Sequence, residues 1–130
     1  MNVKFICNHS CIKVSDPERS LAFYKEALGL TVDFVCHHTE TITSYFLGDG
    51  VSGVQLQLLA IPGYQPEHQS YGHFSMSVND IDASHSHHSA MGCATGPIVD
   101  QGHQRSYFVR DPDGYETEII KLKDISTSGG

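Results

Sequence analysis

The chain has 130 residues, 39% of them apolar and 18% charged, which suits one compact domain and leaves no room for two full-sized ones. Its 8 Lys and Arg stand against 15 Asp and Glu, and the resulting charge of −7 argues against binding driven by phosphate neutralisation, hence against nucleic acid as a partner. No apolar run approaches the roughly 20 residues that span a bilayer, and Met1-Asn2-Val3-Lys4 opens no secretory signal, so a soluble cytoplasmic protein with no membrane partner is expected.

Residues 5–14 are rich in β-formers and predict a first strand. Asp16-Pro17 then supplies an N-cap followed by proline at the first helical position; Leu21, Tyr24 and Leu28 recur at helical spacing, and Gly29 ends the helix. Strands are expected near residues 32–35, 41–47 and 54–60, with a linker from Ile61-Pro62-Gly63 to Ser70. Phe74, Met76 and Val78 alternate with polar residues, Asp80 caps a second helix running to Met91, and Gly92 closes it. That helix is rich in Ser and His, so tertiary packing must hold it. Further strands are expected near residues 105–110 and 115–122, with fraying from Ser126 to Gly130.

The chain also repeats itself. His9-Ser10-Cys11-Ile12-Lys13-Val14-Ser15-Asp16 lines up with His73-Phe74-Ser75-Met76-Ser77-Val78-Asn79-Asp80, a shift of 64 residues, and Ser44-Tyr45-Phe46 recurs as Ser106-Tyr107-Phe108, a shift of 62. The reading is one α+β domain made of two tandem βαβββ modules, 4–61 and 70–123, with a tail at 124–130 and helices packed on one face of a mixed sheet.

Strand parity separates the two faces of that sheet. Ile12, Val14, Leu56, Leu58, Phe74, Met76, Val78, Tyr115 and Ile119 form an apolar, helix-facing set. The opposite parity carries His9, Cys11 and Lys13; Gln55, Gln57 and Leu59; His73, Ser75 and Ser77; Glu116, Glu118 and Ile120. His9 matches His73 in the repeat, and Gln57 falls near the equivalent of Glu118 with one residue of slippage. Two imidazoles, a carboxylate and an amide oxygen suit a divalent transition metal. Asp111-Pro112-Asp113-Gly114 is a tight turn that sets where the strand bearing Glu118 begins. Cys7, Cys11, Cys36 and Cys93 are expected as reduced thiols, since no second pair completes a zinc cluster around His9. Most of the nine His are expected at the surface, and His37, His38, His85, His87 and His88 receive no role.

The motifs His9-x-x-Ile12-x-Val14-x-Asp16, Phe23-Tyr24-x-x-x-Leu28-Gly29, Tyr71-Gly72-His73-x-x-x-Ser77-Val78 and Asp111-Pro112-Asp113-Gly114-Tyr115-x-x-Glu118-Ile119 resemble the vicinal oxygen chelate superfamily, most of all glyoxalase I (lactoylglutathione lyase). The resemblance implies paired βαβββ modules forming a cupped sheet around one metal, helices outside, commonly at a homodimer interface. It places the metal ligands on His9, Gln57, His73 and Glu118. Two positions depart from the family pattern. Gln57 stands where short-chain members usually carry Glu, which removes one charge and one of two proton acceptors. Lys13 stands where Arg generally holds a carboxylate of glutathione, which keeps the charge and loses the bidentate fork.

The reaction so implied uses Ni²⁺ or Zn²⁺ to isomerise the hemithioacetal of methylglyoxal and a thiol, glutathione or another. Glu118 and Gln57 occupy the catalytic positions, with Glu118 as the base, and Lys13 or Arg19 anchors the acidic thiol. The alternative is a non-haem Fe(II) extradiol-type dioxygenase with His9, His73 and Glu118 as its facial triad and His103 and Tyr107 as candidate neighbours of dioxygen. Thiol transfer to an epoxide antibiotic and sequestration of an aromatic or glycopeptide ligand are the remaining readings.

Overall fold

Each half of the repeat folds around its own four-stranded sheet in the computed structural model, which describes residues 3–66 and 72–123. The two compact units are Met1–Pro66 and Glu67–Gly130. Residues 67–70 of the expected linker, Tyr71 of the Tyr71-Gly72-His73 motif and the tail at 124–130 lie outside the described residues.

In the first unit β1 (His9–Val14) leads into α1 (Pro17–Leu28), then β2 (Thr31–His37), β3 (Thr43–Gly48) and β4 (Gln55–Ala60). The sheet order is β1-β4-β3-β2, with β1 parallel to β4 and the other pairs antiparallel. A parallel pair needs a long crossover, and α1 with the β2–β3 hairpin supplies it. Asp16 accepts a hydrogen bond from the Arg19 backbone N–H at 3.1 Å, Pro17 opens the helix, and Gly29 closes it at φ 68. The left-handed backbone there lets the Gly29 and Leu30 N–H groups reach the carbonyls of Lys25 and Tyr24. α1 buries Ser20, Tyr24 and Ala27. Ile12, Val14, Leu56 and Leu58 are all buried, as parity requires.

The first strand is shorter than its β-forming composition suggests. Phe5 and Ile6 are 87% and 86% exposed, and the ladder starts at His9, opposite Gln55 where β4 itself begins. Propensity without a partner strand makes no strand.

In the second unit β5 (Phe74–Ser77), α2 (Ile81–Met91), β6 (Val99–Asp100), β7 (Gln104–Arg110) and β8 (Glu116–Leu122) repeat the topology as β5-β8-β7-β6. β6 has two residues, too few for any periodicity to announce it. Phe74, Met76 and Val78 are only half-buried, whereas Ile12 and Val14, the counterparts of Met76 and Val78, are fully buried. α2 holds on by polar contacts: His88, given no role by its polar sequence surroundings, is 2% exposed, and its Nδ1 lies 2.6 Å from the Tyr107 hydroxyl. That hydroxyl donates to Ser84 Oγ at 2.8 Å. A Ser- and His-rich helix thus docks because β7 offers Tyr107 to bond to. The Asp111 carboxylate is buried and accepts from the Asp113 and Tyr115 backbone N–H groups, so the turn delivers Tyr115 to the core and Glu118 to the opposite face.

Candidate functional site

The residues singled out from the sequence form two pairs, one in each unit, and the pairs are built alike. In the first unit the register sets Cys11 opposite Gln57 and Gln57 opposite Phe46, with His9 two residues before Cys11. In the second it sets Ser75 opposite Glu118 and Glu118 opposite Phe108, with His73 two residues before Ser75. Gln57 and Glu118 are therefore true equivalents, and the slippage expected from sequence offsets is absent. The shift of 64 residues at the His and 62 at the Phe reflects unequal loops, which leave the ladders unchanged. Each His also meets its Phe edge-on, His9 with Phe46 at 5.3 Å and His73 with Phe108 at 5.2 Å between ring centroids.

In the second pair His73 Nε2 lies 3.3 Å from Glu118 Oε1, and the Glu118 side chain is 15% exposed. Glu118 Oε2 accepts from Gln104 Nε2 at 3.4 Å. In the first pair His9 Nδ1 lies 2.6 Å from Asn8 Oδ1, so the ring donates from Nδ1 and keeps the Nε2 lone pair for a ligand. Gln57 Nε2 donates to Ser44 Oγ at 2.7 Å, and Oε1 is the accepting atom of the same amide. Among the described residues no three of His, Cys, Asp and Glu gather as they would around an ion. The donors of each pair nevertheless fit one, since each presents an imidazole beside a side-chain oxygen on one sheet face.

Lys13 shares the parity of His9, and its Nζ stands 5.8 Å from the centre of the Tyr64 ring. Arg19 lies in the first turn of α1, whereas His9 occupies the sheet face opposite the buried Ile12 and Val14. Tyr107 does not join His73 and Glu118, because its parity on β7 sends it to α2 while Phe108 turns the other way. His103 precedes β7 and receives the Lys123 N–H on its carbonyl. The Cys11 thiol, facing Gln57 across the ladder, is pushed above its ordinary range by partial burial, against the pull of Lys13 and a backbone hydrogen bond at Leu59.

Asn8, Ser44, Gln104 and the two Phe escaped the sequence reading. Ser44 and the two Phe left a usable signal, since all three belong to the repeated Ser-Tyr-Phe. Asn8 and Gln104 act through side-chain geometry that no spacing encodes.

Residues 6–119 match the Glyoxalase/Bleomycin resistance protein/Dioxygenase superfamily. The chain is 36% identical over 131 residues to the lactoylglutathione lyase of Haemophilus influenzae, with 94% of this chain and 96% of that one covered. It is 31% identical to the probable lactoylglutathione lyase of Vibrio cholerae, with 88% and 89% covered. Among solved structures, the trypanothione-dependent glyoxalase I of Leishmania major superposes with a TM-score of 0.77 at 28% identity, over 91% of this chain and 87% of that one. An antibiotic binding protein from Streptomyces sp. CB03234 superposes at 0.76 over 95% and 99%, but at 19% identity it shares the fold alone. Matched along nearly its whole length by enzymes of one kind, the chain belongs to the Glyoxalase/Bleomycin resistance protein/Dioxygenase superfamily, the vicinal oxygen chelate family, and sides with its glyoxalase I-like lyases.

Proposed function

We propose that the protein isomerises the hemithioacetal of methylglyoxal and a thiol to a 2-hydroxyacyl thioester, using a divalent metal, Ni²⁺ or Zn²⁺, and working as a cytoplasmic homodimer. The observation that carries this reading is the twofold recurrence of one arrangement, an imidazole and a side-chain oxygen flanked by Phe, in a chain similar to lactoylglutathione lyases. His9, Gln57, His73 and Glu118, an imidazole and a side-chain oxygen in each unit, are the residues offered to the ion. When bound, it would supply positive charge to the two substrate oxygens.

The chain's own residues divide the remaining work. Glu118 takes the proton from C1 of the hemithioacetal and returns it to C2, so hydrogen moves within the substrate and no oxidant is needed. Gln57 is neutral and accepts no proton at neutral pH, which leaves Glu118 as the one carboxylate in the set. The Gln104 N–H at Oε2 orients that carboxylate. Lys13, on the same face as His9, anchors an acidic thiol as a point charge, and Arg19, on the helix layer, does not. The names of the relatives point to glutathione or a similar thiol. The dioxygenase reading loses its Tyr, since Tyr107 faces α2.

The test is to load the purified protein with Ni²⁺, Zn²⁺ or Fe²⁺ and follow thioester formation from methylglyoxal with glutathione and other thiols. Turnover with a thiol and its loss in Glu118→Gln are expected. Silence with every thiol, coupled to oxygen uptake on catechols, would move the protein to the oxygenases.

A further inference from the structure

Gln57 and Glu118 hold equivalent places yet carry different groups, and their surroundings differ to match. The Glu118 carboxylate, which can only accept, is met by a donor, Gln104 Nε2. The Gln57 amide nitrogen, which can only donate, is met by an acceptor, Ser44 Oγ, in a residue that is 0% exposed. Ser44 in turn lies 2.7 Å from His38 Nε2. A hydroxyl has two lone pairs and one proton, so Ser44 can accept the amide N–H and still give its proton to His38 Nε2 in the tautomer that carries the ring hydrogen on Nδ1. His38 is held for this at the end of β2: its backbone N–H bonds to the Ile42 carbonyl at 2.9 Å, and Thr39 Oγ1 caps the intervening turn through the Thr41 and Ile42 N–H groups.

We propose that Ser44 and His38 are positioning residues that set the orientation of the Gln57 amide. The chain runs from Gln57 Nε2–H to Ser44 Oγ and from Ser44 O–H to His38 Nε2. It turns the amide oxygen, and not the nitrogen, toward the face bearing His9. An amide rotated by half a turn would present two hydrogens to a cation and bind nothing. A neutral ligand thus works at this position only beside a side chain that accepts, and His38 keeps the Ser44 proton out of the way so that Ser44 does accept. This inference rests on Gln57 being a metal ligand.

Two readouts test it on the full-length protein. In a ¹⁵N-labelled sample the Gln57 side-chain NH₂ pair, assigned by its loss in Gln57→Glu, is expected to be displaced from the free-amide position. Ser44→Ala and His38→Leu should return it there, and His38→Gln, which keeps an acceptor where Nε2 stood, should preserve it. Ni²⁺ titration should show affinity falling about 10-fold in Ser44→Ala and in His38→Leu, the range typical of groups that orient a ligand. In the Gln57→Glu background His38→Leu should cost nothing, because a carboxylate takes the Ser44 proton itself.

His38 is exposed, so its substitution serves even if Ser44→Ala folds poorly. An unmoved amide pair, or an equal loss from His38→Leu in both backgrounds, overturns the inference. Ni²⁺ affinity weakened by Gln57→Ala but not by Ser44→Ala or His38→Leu overturns it while sparing the ligand role. A wild-type protein that binds no Ni²⁺ or Zn²⁺ overturns the ligand role, and this inference with it.

Discussion

Replacing Tyr107 with Phe separates what holds the second unit together from what faces its chemistry. The substitution deletes one oxygen from a side chain that is 2% exposed. That oxygen receives the His88 Nδ1–H at 2.6 Å and gives its proton to Ser84 at 2.8 Å. Two net hydrogen bonds are worth about 0.5–1.5 kcal/mol each, and the polar groups stripped of that partner lose more because His88 is buried. The expected loss is about 2–3 kcal/mol, a sizeable share of the roughly 5–15 kcal/mol that domains possess. For a chain of this size it corresponds to a melting point lower by roughly 10 °C. Urea unfolding followed by circular dichroism should show the midpoint falling with an unchanged slope. Ni²⁺ affinity should stay at the wild-type level, since Tyr107 turns to α2 and Phe108 to His73. A stability change under about 0.5 kcal/mol, or a loss of affinity without one, would refute the assignment of Tyr107 to the helix side.

Acid should weaken the fold through carboxylates whose partners exist only in the folded state. The Lys123 ammonium and then the Gly102 N–H hold Asp100 below the ordinary 3.8, so its contribution is fully present above that pH and is lost as pH falls through the depressed folded value; Asp100→Asn should flatten the stability profile below about pH 4. Partial burial raises the Cys11 thiol above its ordinary 9.0, so iodoacetamide should modify it more slowly at pH 8 in the folded protein than in urea, and equal rates would contradict that burial.

Local chemistry wrote much of this protein in its sequence. The Asp16-Pro17 and Asp80 caps, the closing Gly29 and Gly92, and the Asp111-Pro112-Asp113-Gly114 turn act through neighbouring backbone groups, and each does in the structure what its residues require. The repeat and the parity of the strands likewise placed His9, Gln57, His73 and Glu118 on the face away from the buried core, because side-chain alternation is a property of the strand itself. Pairing across strands lay beyond it. Offsets along the chain mix ladder register with loop length, so only the hydrogen-bonded register could equate Gln57 with Glu118. Likewise no local rule starts β1 at His9, buries His88 beneath Tyr107, or brings Ser44 and His38 to the Gln57 amide, since each outcome depends on a partner distant in sequence.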